Sequence, residues 1–202
     1  MNVLGAAVES AVMLFGVPLN KFWALFLASK HSKRFAAGDP FTIAGKSGWE
    51  LAADVLEEAG VEFPHTKPDG LRNRTPEYWA GWALAQYQWY RGFTFQELET
   101  FAPMTKVVGL YSPFHEMSIL AFHEELDKWY KKVHPTTRLE EYRRKLKLSR
   151  DQLGEAAQVS ARLIEQYEQR RRDINSARAE TFLALASALG CNPRDLLERI
   201  SL

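Results

Sequence analysis

Three times along this chain a Ser or Thr stands three residues before a Glu or Gln at the head of an apolar run with helical spacing: Ser47 with Glu50, Thr94 with Glu97, and Ser149 with Gln152. In each pair the hydroxyl can accept from the backbone N–H three residues on, while the longer side chain accepts from the N–H of the capping residue itself. Two otherwise orphaned donors at a helix start are thereby satisfied together. Almost no stretch alternates apolar and polar residues with the period of two that a half-buried strand requires. With 202 residues, 46% of them apolar, the chain has core material for one sizeable domain or two small ones, and the expected fold class is all-α.

After Ser47 the set Leu51, Ala52, Val55, Leu56 and Ala59 keeps helical spacing, and Gly60 stands where a C-terminal cap belongs. Thr75 and Pro76 open a helix reaching about Gly92, since Pro is tolerated in a first turn. Thr94 and Glu97 open the next, with Phe93 and Leu98 placed as a hydrophobic staple. Ser112 and Pro113 are expected to open a helix through His115 to about Tyr130. Upstream, Met1–Phe15 and Leu19–Arg34 read as two helices broken at Gly16 and Pro18. Phe63–Arg74 and Lys131–Thr137 read as connections, and Pro135 pushes His134 out of helical geometry. The expected organisation is an all-helical N-terminal domain over residues 1–132, a linker over 133–137, and a second domain over 138–202.

Charge and aromatic residues divide along the same line. The whole chain carries 26 Lys plus Arg against 25 Asp plus Glu, net +1, so no overall field favours nucleic acid or an anionic membrane. Residues 137–202 hold thirteen basic against ten acidic side chains, net +3, while residues 1–136 hold thirteen against fifteen, net −2. Fourteen of the 25 aromatic residues lie between Tyr78 and Tyr130, and three follow Thr137. Tyr78, Trp79, Trp82, Trp89 and Tyr90 share one helical face, with Glu77, Gln88 and Arg91 opposite. That stripe is expected to be core, the alternative being a ligand-stacking platform. Gln86 falls inside the stripe and needs hydrogen-bond partners there.

The remaining chemistry is sparse. Cys191, the one cysteine, allows neither an internal disulfide nor a cysteine-rich zinc site, and no basic neighbour activates it as a nucleophile. His115 and His123, eight apart on one expected helix, would lie about 12 Å apart along its axis, too far to share a metal. Gly45-Lys46-Ser47 lacks the upstream glycine of a phosphate loop and reads as a turn into a capped helix. No catalytic residues, cofactor or metal site are expected. The first basic residue is Lys21, and the longest purely apolar run, Phe22–Ala28, is too short to span a bilayer, so the expected location is the cytoplasm, without a membrane partner.

From Arg138 onward five short helices are expected: Arg138–Lys147, Arg150–Ala157 capped by Ser149, Ala161–Glu168 capped by Ser160, Arg178–Leu189 closed by Gly190, and a fifth opened by Asn192 and Pro193. The second and third are separated by a turn of about three residues, the spacing of a helix-turn-helix, in which the later helix enters the major groove. Leu153, Ala157, Val159, Ile164 and Tyr167 are apolar where two such helices pack, and Gly154 is small where they approach. Outward on the third helix stand Ala161, Arg162, Glu165, Gln166 and Gln169. Arg can fork onto guanine, Gln onto adenine, and a small apolar group can meet a thymine methyl.

The combination LS-x-x-x-L, VS-x-x-x-I-x-x-YE and LA-x-ALG-C, in this order, resembles the XRE, or Cro/CI-type, helix-turn-helix family across residues 138–199. The resemblance implies a five-helix, lambda-repressor-like domain that docks on operator half-sites in double-stranded DNA, commonly as a dimer. Carried onto this sequence, Arg150 would contact phosphate or a nearby base. Arg162 and Gln166 would read bases, flanked by Ala161 and Glu165 and led by the capping Ser160. Arg170, Arg171 and Arg172 would follow the DNA backbone. Gln158 replaces the glycine usual at the first turn position, and Leu163 is unusually apolar and is expected to be partly buried.

Upstream, the run YW-x-GW-x-LA-x-YQWY, Tyr78–Tyr90, is similar to the N-terminal part of some XRE-type regulators, among them antitoxins of addiction modules. The function expected is a DNA-binding transcriptional regulator, a repressor in the leading version or an autoregulating antitoxin with a cognate toxin as partner. The alternative is an N-terminal ligand sensor or enzyme positioned by a DNA-binding module. A homodimer is expected, held chiefly by the N-terminal domain, because the first helix with Val3, Leu4, Val8, Ala11, Val12 and Phe15 is so apolar that it needs covering, either by a second copy or by the core of its own domain.

Overall fold

The computed structural model describes residues 1–64 and 74–200, so most of the expected connection at 63–74 lies outside the described residues. The chain separates into two compact units, Met1–Tyr130 and Lys131–Leu202. Among the described residues there is no strand, and no helix is long and apolar enough to cross a membrane.

The first unit is built on α1 (Asn2–Glu9), prolonged by a π-helical turn at Ser10–Leu14 and packed between α5 (Gly48–Glu58) and α6 (Pro76–Arg91). Glycine makes both crossings possible. A Cβ on Gly48 would lie 2.3 Å from Ala6 Cβ, and one on Gly5 would lie 2.6 Å from the Tyr78 carbonyl oxygen. Leu4, Ala7, Val8 and Ala11 are fully buried as a result. The first helix is therefore covered by its own unit, which removes the reason for giving it the dimer contact.

Around this layer run α2 (Leu19–Ala28), α3 (Lys30–Ala36), α4 (Pro40–Ile43), α7 (Phe95–Phe101), α8 (Met104–Val107), α9 (Tyr111–Phe114) and α10 (Ile119–Val133). The single helix expected over Leu19–Arg34 is divided at Ser29, whose backbone is extended and whose hydroxyl caps α3 by accepting from the His31 N–H at 3.2 Å. The helix expected from Ser112 to Tyr130 is also interrupted. Ser112 is extended, as a residue before proline prefers, and residues 115–118 are not helical, so His115 and His123 do not share a helix. The boxes at Ser47 and Thr94 form with both reciprocal bonds.

The aromatic stripe is only half a core. Tyr78 and Trp79 are buried, but Trp89 and Tyr90 are 52% and 55% exposed. α6 is instead buried on nearly every side between Tyr78 and Gln88, with Ala80, Ala83, Leu84, Ala85 and Tyr87 fully enclosed, and its crossing with α1 is admitted by Gly81, where a Cβ would lie 3.0 Å from Gly5 Cα. Gln88, expected outside, is buried and its amide donates to the Phe93 carbonyl at 2.8 Å, whereas Gln86 is only half-buried. Tyr87 donates its hydroxyl to Asp127 at 2.8 Å, and Arg91 forks onto the same carboxylate.

His123 is 5% exposed and neither ring nitrogen has a partner; its ring stacks on Tyr90 at 4.8 Å and meets Tyr87 edge-on at 5.5 Å. Burial pushes its pKa down, with Asp127 raising it and Arg91 lowering it; burial lowers that of His31 as well. An imidazole with a depressed folded pKa is protonated first in the unfolded chain, so stability is complete above the unfolded value, about 6.5, and declines below it. We expect the urea midpoint of this unit, followed by tryptophan fluorescence, to fall between about pH 7.5 and 5.5. His123→Phe should flatten that slope without abolishing it, since His31 remains. An unchanged slope in the variant would refute the assignment.

The second unit contains α11 (Arg138–Lys145), α12 (Arg150–Ala157), α13 (Ala161–Glu168) and α14 (Ala179–Ala188), with 3₁₀ turns at Ile174–Ser176 and Pro193–Leu196. The fifth expected helix is thus a single 3₁₀ turn, capped by Asn192. Leu139, Leu153, Ile164, Tyr167, Leu185 and Leu196 form the core, with Leu163 and Cys191 packed partly buried against it.

Candidate nucleic-acid interface

The turn between α12 and α13 is fixed by backbone geometry. Gln158 adopts the left-handed conformation at φ 53°, which lets the Val159 N–H donate to the Gly154 carbonyl at 2.9 Å. A side chain on Gly154 would place its Cβ 2.6 Å from the Val159 carbonyl oxygen, so glycine is what admits the return of the chain. The left-handed Gln costs roughly 1 kcal/mol against glycine, which the buried core outweighs. Ser149 and Ser160 cap the two helices as the sequence indicates, Ser160 Oγ accepting from the Leu163 N–H at 3.3 Å.

Ile164, Tyr167 and Glu168 are the buried face of α13. Its open face carries Ala161, Arg162, Glu165, Gln166 and Gln169. Arg162 is exposed, and among the described residues nothing engages its guanidinium or the Gln166 amide. Both are free to bond elsewhere. Glu165 is partly committed, accepting from Gln169 at 3.0 Å and facing Arg150 NH1 at 3.9 Å.

The helix ends in a second left-handed residue, Arg170 at φ 51°. The Arg171 N–H donates to the Gln166 carbonyl at 2.9 Å and the Arg170 N–H to that of Tyr167 at 3.1 Å. Arg171 and Arg172, both exposed, follow this turn directly after the end of α13. Arg170 behaves differently from its neighbours. Its guanidinium donates to the carbonyls of His134, Pro135 and Thr136 at 2.9–3.1 Å and faces Glu198 at 3.8 Å, tying the start of the unit to its end. The structure thus gives Arg170 an internal clamp where the family resemblance implied a DNA-backbone contact.

Beneath the interface lies a charged cluster that the sequence did not reveal. Glu168, its side chain 1% exposed, accepts from Arg143 Nε at 2.6 Å and NH2 at 2.9 Å, and from Arg150 Nε at 2.7 Å. Burial raises its pKa, but the hydrogen bonds from Arg143 and Arg150 outweigh that and hold the carboxyl below the usual range. Arg143 also donates to the Leu148 carbonyl at 2.8 Å. Positions 143 and 168 are 25 residues apart, so no local pattern marks the pair. Arg150, expected on phosphate, keeps part of its guanidinium at the surface, 36% of the side chain being exposed.

Among protein families, the one described as a helix-turn-helix domain matches residues 136–200, within the second unit. No curated protein and no solved structure matches the chain. The match, the two capped helices, the glycine-permitted turn and the open polar face of α13 agree, and residues 136–200 are a helix-turn-helix DNA-binding domain of the XRE, or Cro/CI, kind.

Proposed function

We propose that this protein is a cytoplasmic, non-catalytic transcriptional repressor, and that it acts as the autoregulating antitoxin of a toxin–antitoxin pair. The observation that carries the DNA-reading part is the open face of α13, where Arg162 and Gln166 are uncommitted and Arg171 and Arg172 stand at its end. In this reading Arg162 and Gln166 contact base edges, with Ala161, Glu165 and the capping Ser160 around them, and Arg150, Arg171 and Arg172 hold phosphates. The first unit takes the protein partner.

One recognition helix of eight residues covers one half-site, so strong specificity calls for two copies of the chain. A homodimer would read an inverted repeat with half-sites about 34–36 Å apart. Because α1 is buried within its unit, the contact between copies is assigned to other surfaces.

Selection of duplexes from a random pool by the full chain tests the proposal. We expect enrichment of an inverted repeat that also occurs in the promoter of the protein's own gene. Retention of no duplex at low salt would reject DNA binding, and an enriched site absent from that promoter would reject autoregulation.

A further inference from the structure

Glu168 closes α13 and Arg150 opens α12, so the bond between them links the end of the recognition helix to the start of the helix before it. One buried carboxylate meets two guanidinium groups there, so one positive charge is unbalanced within the buried cluster and is approached from outside it by the part-exposed Glu165, 3.9 Å from Arg150 NH1. Arg143 cannot deliver that charge outward. Its side chain is 11% exposed, two of its nitrogens are spent on Glu168 and the third on the Leu148 carbonyl. Arg150 can. Only its Nε is bonded to Glu168, and its NH1 lies 3.9 Å from Glu165.

An unrestrained arginine samples many rotamers, and stilling it on a ligand costs up to about 2 kcal/mol of rotamer freedom. Fixing the group by Nε removes much of that cost and leaves the two terminal nitrogens as a fork. We propose that Glu168 is a positioning residue for DNA binding: it holds Arg150 by Nε so that its NH1 and NH2 close on one phosphate beside the base-reading face. The inference rests on the DNA-binding reading. Glu165 gives up its weak approach to Arg150 when the phosphate arrives and becomes available to a base edge.

Anisotropy titrations of the full chain against an enriched and a scrambled duplex, over a range of salt, test it. Wild-type binding to neither duplex would defeat the underlying reading, independently of Glu168. Given binding, Arg150→Ala should weaken both duplexes alike and lower the salt slope by about 0.9, one phosphate contact. Glu168→Gln should weaken both by roughly fivefold in the wild-type background and by nothing further on top of Arg150→Ala, since the two then share one interaction. Arg150→Lys leaves the Arg143–Glu168 pair in place and supplies a second arm should the Gln variant not fold. It should keep the salt slope yet bind roughly fivefold more weakly, because one ammonium cannot replace the planar fork. An equal effect of Glu168→Gln in both backgrounds, tighter binding by that variant, or wild-type affinity in Arg150→Lys would overturn the proposal.

Discussion

Glu168→Ala is expected to unfold the second unit under conditions in which the first remains folded. The substitution leaves the Arg143 guanidinium buried without a counter-charge, a change worth about 3–5 kcal/mol when one member of a buried pair is removed. A domain of this length has on the order of 4–10 kcal/mol in total, so the loss consumes most of it. All six tryptophans lie in the first unit, at positions 23, 49, 79, 82, 89 and 129, which separates the readouts. Far-UV circular dichroism should lose the helix of residues 131–200 while the tryptophan transition stays where it was. Replacing both partners, Arg143→Met with Glu168→Leu, should restore much of the stability, since an apolar pair carries no desolvation cost. If Glu168→Ala melts within a few degrees of the wild type, the buried cluster does not hold this unit together.

In the first unit the largest effect is expected at Gly48. A Gly→Ala change inside a helix usually gains about 1 kcal/mol from propensity. Here the new Cβ would meet Ala6 Cβ at 2.3 Å, Ala6 C at 2.5 Å and the Ala7 nitrogen at 2.6 Å, two of them backbone atoms that no rotamer change can move. Separating α5 from α1 also opens the packing around Leu4, Ala7 and Val8, so the cost is about 3 kcal/mol or more and the net sign is unfavourable. Urea unfolding followed by tryptophan fluorescence should show a clearly lower midpoint for Gly48→Ala. Gly109→Ala, where nothing lies within 4 Å, should be neutral or slightly stabilising. Equal midpoints for the two variants would mean that α1 is not clasped as described.

What the sequence revealed and what it concealed follow from how far each interaction reaches. Capping boxes join residues three apart, and those at Ser47, Thr94 and Ser149 all form with both bonds. Gly154 and Gln158 were legible for the same reason, since the turn they make is closed by their immediate neighbours. Ser29 was the missed local signal: a capping residue type inside an apolar run, whose hydroxyl starts α3.

The faces of helices were harder. Periodicity grouped Trp89 and Tyr90 with Tyr78, but α6 is enclosed on nearly every side from Tyr78 to Gln88 and emerges from its unit only in the last turn, a boundary set by tertiary packing that no local period marks. In the interface, Arg162 and Gln166 were visible because exposure on a capped helix is a local property. Arg170 and Glu168 were not, since their partners lie 34–36 and 18–25 residues away, and an arginine run reads the same whether it faces phosphates or carbonyls.

The central claim is that one face of α13 reads sequence while the adjacent arginines only grip the duplex. The most direct measurement is a binding titration of Arg162→Ala and Arg171→Ala, in the full chain, against an enriched duplex and a scrambled one at several salt concentrations. Arg162→Ala should lose about 1–3 kcal/mol on the enriched duplex and almost nothing on the scrambled one. Arg171→Ala should weaken both equally and lower the salt slope by about 0.9. The same loss on both duplexes for both variants would contradict the account.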